Sequence, residues 1–307
     1  MKKRKILISA VSFLTVAALF ILIQPLQSFA VNALSVFRVQ DMHAINITVT
    51  DLEQLARSVQ ELKSMMPVDG QHSRNAISDS EKAGKLASEL VTLNNPRDFT
   101  AFDLKLPGAP YSEILELKMI AAQTKTIILD TRDINGKLIQ LGAVPLSEEF
   151  DGAQITVQTP GVAVADYGSI KLIATQMPVF TDNDRALTAL KQSLLSLPQL
   201  PDNLRIQLAT VDLTSGIVYV PVIEGFGQQT SIGGSTGYLY ALPELKALID
   251  SLPVDLFQYE DEVNPLGMIQ QYNDDGSGLI WTRDGVLYIL AGNQPAGELT
   301  QIARSCK

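Results

Sequence analysis

Apolar residues recur along this chain with two periods, and the changes between them mark its elements. HAINITV (43–49) alternates and predicts a strand. Thr50 and Glu53 then have the spacing of a capping box, ahead of Leu52, Leu55, Val59, Leu62 and Met66 at helical steps. Pro67 and Gly70 end that helix. A second box, Ser78 with Glu81, predicts another helix with Ala83, Leu86, Ala87, Leu90 and Val91 on one face. The period then shortens. EILELKMI (113–120), KTIILD (125–130) and KLIQLGAV (137–144) predict strands, the last two joined by Asn135-Gly136, a strong hairpin signal because both residues tolerate positive φ. AQITVQ, VAVADY and SIKLIATQM (153–177) continue as strands.

Residues 182–197 return to helical spacing, and Pro198, Pro201 and Asp202 mark a turn. RIQLATVDL and SGIVYVPVI (205–223) predict two strands, with Pro221 suited to an edge. A glycine-rich turn enters a strand at 230–242, and a short helix occupies 244–252. Arg283-Asp284-Gly285 joins two last strands, and Pro295 opens a final helix that turns Leu299, Ile302 and Ala303 inward. Stepwise turns without helical crossovers argue against a doubly wound or barrel fold. The expected class is α+β, a curved antiparallel sheet packed against several helices. No internal repeat or low-complexity tract interrupts it, and the candidate boundary is 198–204.

The head of the chain shows neither period. Ile6 to Ile23 is an uncharged run of 18 residues behind Lys2, Lys3, Arg4 and Lys5. As a helix it spans roughly 27 Å, against about 30 Å for a bilayer core. An uncleaved transmembrane anchor over residues 6–24 accounts for the length. A cleaved signal peptide accounts for Ser28-Phe29-Ala30, small residues spaced for cleavage. The length favours the anchor. Either way residues 1–5 are a cytoplasmic tail and residues 31–307 an extracytoplasmic domain, secreted if cleavage follows Ala30.

Charge sharpens this division. The 307 residues carry 24 basic and 33 acidic groups, net −9. Four of the basic groups and none of the acidic ones precede residue 31, so the body has 20 against 33, net −13. An acidic body argues against a nucleic-acid partner, which needs a basic face. The 46% apolar content excludes a disordered chain, and one cysteine excludes a disulfide scaffold.

No chemistry emerges from the motifs. Gly233-Gly-Ser235-Thr-Gly237 matches a nucleophile elbow in letters, but a strand follows it where a helix is needed, and both histidines, His43 and His72, lie upstream. Asp130 to Gly136 fails as a calcium loop, because Thr131 and Gly142 fall where carboxylates must stand. Asn273 to Gly276 reads as a turn. Two histidines and Cys306 cannot build a typical zinc site, and neither histidine is expected to sense pH. Asn46-Ile-Thr48 is formally a glycosylation acceptor, expected to be buried in its strand. The expectation is no catalytic residue, no cofactor and no metal.

Three segments carry a resemblance: 33–39 leading into ITVTDLEQL (47–55), LLSLPQLPDNLRIQLATVDL (194–213) with VYVPV, and GSGLIWTRDGVLYILAGNQPAGELTQIARS (276–305). The last is similar to the C-terminal extracytoplasmic domain of unknown function in anti-sigma-factor-like membrane proteins of Gram-positive bacteria. The matching positions are Trp281, Asp284-Gly285, Tyr288, Gly292 and the closing Leu299/Ile302/Ala303 helix. The resemblance implies a sheet-on-helix fold like that of lipoprotein carriers and RseB-like periplasmic domains, which hold an apolar groove. The zinc-binding cytoplasmic module of such regulators has no counterpart in Met1–Lys5. The expected function is a non-enzymatic, single-pass membrane protein whose outer domain binds or senses an envelope ligand or protein. The alternative is a lipid or lipoprotein carrier using that groove.

Overall fold

Local capping and helical burial decide where the elements begin, and in three places they move an expected boundary or change its type. The computed structural model describes residues 42–65, 90–176, 179–211, 218–251 and 276–307. Strand β1 (Met42–Ile47) leads into helix α1 (Val49–Met65). The capping box is Thr48 with Asp51: the Asp51 amide donates to Thr48 Oγ1 at 3.0 Å and the Thr48 amide to Asp51 Oδ2 at 2.9 Å. It stands two residues ahead of the expected Thr50–Glu53 pair. Asp51 is buried and also accepts from Asn203 Nδ2, whereas Glu53 is exposed. Residues 78–89 of the second expected helix lie outside the described residues. Leu90 and Val91, assigned to its apolar face, instead belong to β2 (Leu90–Leu93) and pair with Ile120 and Met119 of β3 (Glu116–Ile120).

After β4 (Gln123–Ile128), the expected Asn135-Gly136 hairpin is replaced by helix α2 (Thr131–Gln140). Asp130 caps it, its carboxylate accepting from the Asp133 amide at 3.0 Å. Ile134, Leu138 and Leu141 recur at helical spacing and are all buried. The Asn135 side chain is committed to Leu146, accepting its amide at 2.7 Å and donating to its carbonyl at 2.9 Å. Strands β5 (Gln154–Thr159), β6 (Val162–Asp166), β7 (Ile170–Thr175) and β8 (Val179–Thr181) follow, then helix α3 (Asp184–Leu195).

A second expected strand, from 205, is helix α4 (Asp202–Thr210). Leu204, Leu208 and Val211 bury one helical face. The Arg205 guanidinium donates to the carbonyls of Leu195, Leu197 and Leu200 at 2.9–3.0 Å, binding α4 to the end of α3. The chain closes with β9 (Val218–Ile223), β10 (Gly227–Ile232), β11 (Ser235–Ala241), α5 (Leu242–Ser251), β12 (Ser277–Arg283), β13 (Val286–Gly292) and α6 (Ala296–Ser305).

The class is α+β, with antiparallel sheets and six α-helices among the described residues. Eight strands pair in the order β10-β11-β12-β13-β7-β6-β3-β2, all antiparallel. The expected meander is divided: β4, β5 and β8 form a separate three-stranded sheet, while β6 and β7 join the large one. Strands β1 and β9 form a parallel pair, with Ile45 opposite Pro221. Among the described residues, Pro221 thus stands in a strand with a single ladder partner, where its missing N–H is tolerated.

The large sheet serves two cores. On one face Leu117, Ala165, Leu172, Leu290, Leu279 and Leu239 lie in one register row. The next row holds Ala163, Ala174, Tyr288, Trp281 and Gly237. Trp281 stacks on Tyr288, ring centroids 5.2 Å apart and planes 15° from parallel. A Cβ on Gly237 would come within 3.3 Å of Trp281 Cβ, so the row depends on small neighbours. Helix α6 covers this face with Leu299, Ile302 and Ala303. On the opposite face Tyr238, Tyr240, Ile280 and Leu287 join a larger core with α1 to α5 and the two smaller sheets. Strands β12 and β13 are therefore buried on both sides, which explains their nearly unbroken apolar sequence. Toward β3, β6 and β7 that second face is half-exposed and carries the Lys118–Glu116 and Lys171–Asp166 ion pairs.

The helical state of 131–140 fixes the sign of one substitution. A Cβ on Gly136 meets nothing within 4 Å, and its φ is not positive. Gly136→Ala is expected to raise stability by about 1 kcal/mol in urea unfolding. A hairpin turn at Asn135-Gly136 would instead lose stability on the same change.

Candidate functional site

The expected carrier groove lies between sheet and helices; among the described residues, the space between the large sheet and α6 is filled by side chains. Trp281, Tyr288, Leu279 and Leu290 meet Leu299, Ile302 and Ala303 there, all of them buried. The segment before β3 and the C-terminus seal this layer. Leu106 and Lys307 exchange both backbone hydrogen bonds, at 3.1 and 3.3 Å. The Gly108 amide donates to Ser305 Oγ at 3.1 Å, and the Tyr111 hydroxyl donates to the Glu298 carboxylate. Arg283 Nη1 donates to the Cys306 carbonyl at 2.7 Å, and the Lys105 amide to Tyr288 Oη at 3.2 Å.

Open space lies instead at one end of the sheet. A cleft of about 400 Å³ forms where β11 ends, β12 begins and β13 ends, lined by Ala241, Gly276, Ser277, Asn293, Pro295 and Ala296, with Pro243 and Glu244 of α5. Helices α5 and α6 both start on its wall. Pro295 is the N-cap of α6 and offers no side-chain acceptor. Its carbonyl accepts from the amides of Glu298 and Leu299 at 3.0 and 3.1 Å. At the start of α5, the Leu242 amide donates to the Gly276 carbonyl at 2.9 Å.

Ser277 also lines the cleft. Strand alternation places its side chain on the same face as Leu279 and Trp281, which is the face α6 covers. The residue is 5% exposed. Beside it, across the β12–β13 ladder, is Gly292, where a Cβ would meet Gln294 Oε1 at 2.4 Å and the Ser169 carbonyl at 2.8 Å. Gln294 Nε2 donates to Ser169 Oγ at 2.9 Å, while its Oε1 is buried and unpaired among the described residues. Among the described residues, Glu244 is the one charged residue in the lining.

The residues singled out in the sequence do not converge on this cleft. Ser235 opens β11 opposite Ile232, across a turn in which Gly233 and Gly234 both have positive φ (59° and 94°). It is a hairpin position followed by a strand, without the strand-to-helix turn of a nucleophile elbow. Asp130 is the N-cap of α2 and Asp133 lies in its first turn. His43 is exposed on β1, its ring 5.9 Å from that of Tyr219. Asn46, expected to be buried, is exposed, and its backbone amide and carbonyl are bonded to the Gln207 side chain. His72, Asn273–Asp275 and residues 6–24 lie outside the described residues. Among the described residues no helix is long and apolar enough to cross a membrane, and no three potential metal-binding side chains gather. One sequence signal does mark the cleft: Pro295, a helix start that cannot cap itself. Comparison with family models, curated proteins and solved structures finds no match.

Burial governs the titration of the inner layer. It pushes the Cys306 thiol up to about 12 and the Tyr288 hydroxyl to about 12, the latter opposed by the Lys105 amide. Tyr167 and Tyr240 are raised by burial in the same way. Each of these groups keeps its proton in the folded chain at pH values where the unfolded chain releases it. Stability is therefore expected to fall as pH rises from about 9 toward 12, measured as the urea midpoint followed by Trp281 fluorescence. Cys306 is also expected to resist iodoacetamide at pH 8 until urea unfolds the chain. Native labelling at the unfolded rate would contradict its burial.

Proposed function

We propose that this chain is a membrane-anchored extracytoplasmic binding or sensing protein that performs no catalytic step of its own. The observation that carries the reading is the union of a basic, uncharged-run head with a folded body of net −13. Residues 6–24 hold the chain in the membrane, Lys2 to Lys5 stay on the cytoplasmic side, and the body faces outward. The similarity of 276–305 to the outer domain of anti-sigma-factor-like proteins supports the same role, in which a ligand or protein is met outside the membrane.

The packing supports recognition at the surface over carriage in the interior. A carrier needs a groove lined by Leu, Ile, Met and Phe. Such side chains are spent here on closing the sheet against α6, and the cleft at the strand ends is lined by small and polar residues.

Two measurements test the proposal. The chain recovered from membranes is expected to retain its N-terminal segment on N-terminal sequencing; a mature chain beginning at Val31 would contradict the anchor. A photo-crosslinker placed at exposed body positions is expected to capture a defined envelope partner in intact cells. Release of product from a chemically diverse envelope substrate panel by the purified chain would contradict a non-catalytic role.

A further inference from the structure

We propose that this chain pairs with a second copy of itself through strand β10, antiparallel about a two-fold axis at Gln229, so that two eight-stranded sheets join into one.

The turn after β10 decides which of its backbone groups face outward. Gly233 and Gly234, at φ 59° and 94°, make a two-residue hairpin with Ile232 opposite Ser235. Such a turn is closed by hydrogen bonds between its flanking residues, and the ladder alternates from there. Ile232, Thr230 and Gln228 therefore direct their backbone groups to β11, while Ser231, Gln229 and Gly227 direct theirs away from the sheet. The Ser231 carbonyl agrees, accepting from the Arg304 guanidinium of α6 at 3.0 and 3.3 Å. Among the described residues β11 is the one ladder partner of β10, and Gln228, Gln229 and Ser231 are exposed.

Edge strands are ordinarily protected against pairing by a lysine, a proline, a bulge or a covering group. This chain uses such devices elsewhere. Strand β4, at the side of the three-stranded sheet, carries Lys125, and the Asn46 amide and carbonyl of β1 are both bonded to the Gln207 side chain at 2.8 Å. Gly227 to Ile232, by contrast, has no charge, no proline and an unbroken register. Arg304 covers one end of it, at Ser231.

The two ends of the strand choose the occupant. Arg304 is exposed at the Ser231 end, and Glu224 is exposed just before Gly227 at the other. Antiparallel pairing of two copies sets the Ser231 end of each against the Gly227 end of the other, so each Arg304 stands by Glu224 of the second copy. Parallel pairing would set like charges together. Gln229 exchanges both backbone bonds with Gln229 of the second copy, and Gly227 with Ser231. A carbonyl has room for a second donor, so Ser231 keeps Arg304. The side chains facing across the seam, Gln229 with Gln229 and Gln228 with Thr230, are neutral, so two bodies of net −13 meet there without like charges in contact.

Amide hydrogen exchange of the full chain in neutral detergent, over a range of protein concentrations, tests the pairing. The Gly227 and Gln229 amides are expected to gain protection as concentration rises, in step with a dimer seen by sedimentation, while Gln228 and Thr230 stay protected throughout. Gln229→Lys sets like charges face to face across the axis, and Gln229→Pro removes an N–H that β11 does not use. Each is expected to give a monomer, and Gln229→Lys to keep the thermal midpoint of the dilute protein. Gln229→Cys is expected to crosslink two copies under oxidised glutathione, because facing residues of such a pair lie about 5.5 Å apart at Cα and the native Cys306 is buried. Thr126→Cys, exposed on β4, is expected to stay monomeric. Glu224→Lys is expected to raise the dissociation constant roughly tenfold by reversing one partner in two symmetric ion pairs, and Arg304→Glu in the same chain to restore it.

Protection of Gln229 at every dilution would overturn the proposal, since another part of the same chain would then cover β10. Free exchange of Gln229 at every concentration, or a dimer that survives Gln229→Lys, would overturn it as well. A monomer would leave the envelope-binding reading standing, because that reading needs only one copy.

Discussion

The structure depends on one hairpin whose side chains are claimed alternately by two cores. Asp284 and Gly285, at φ 51° and 77°, form the turn that sets β12 against β13 with the twist the sheet requires. From that register Trp281 and Tyr288 are placed opposite each other and stack, fully buried, in the smaller core. Their sequence neighbours Ile280 and Leu287 point the other way into the larger core. Truncating a buried Trp typically costs about 3–5 kcal/mol, a large part of the 5–15 kcal/mol that keeps a domain folded. A register slip of one residue would exchange the two sets and disrupt both cores together. Gly237, Ala163 and Ala174 keep their small size because the aromatic pair occupies the space above the sheet.

That arrangement supports the proposed role at the surface over carriage in the interior. Among the described residues, the sheet is packed on both faces at its centre, by α6 on one side and the larger core on the other. What remains is the end of the sheet, where strands stop and helices start and backbone groups lose their ladder partners. Helices α5 and α6 begin within a residue of β11 and a few residues of β13, so their first turns flank the same cleft. A recess where strands end and helices begin, on a body of net −13, is the feature on which the proposed recognition role rests.

The sequence is legible where local and tertiary preferences agree. Strands β12 and β13, their Asp284-Gly285 turn and the inward Leu299, Ile302 and Ala303 of α6 follow from pattern alone. Helices α2 and α4 do not. Each is short, and each contains residues whose local preference points elsewhere: Asn135-Gly136 to a turn, Ile206 and Thr210 to a strand. Partners distant in sequence decide them, Leu146 for Asn135 and the carbonyls ending α3 for Arg205. Likewise Thr48 prevails over Thr50 as the cap because Asp51 is held by Asn203, 152 positions away. The cleft was illegible for the same reason: Ala241, Ser277 and Ala296 are each unremarkable in the chain and meet only through the sheet register.

Amide hydrogen exchange of the full chain tests the central claim, that α6 and the hairpin form one closed unit with no openable groove between them. The interior amides of α6, around Ile302, are expected to exchange with the same opening free energy as those of Trp281 and Tyr288, through global unfolding. Exchange of α6 through a separate, lower-energy opening while β12 and β13 stay protected would contradict it. The space beneath the helix would then be accessible, and carriage in an apolar groove would become the better account.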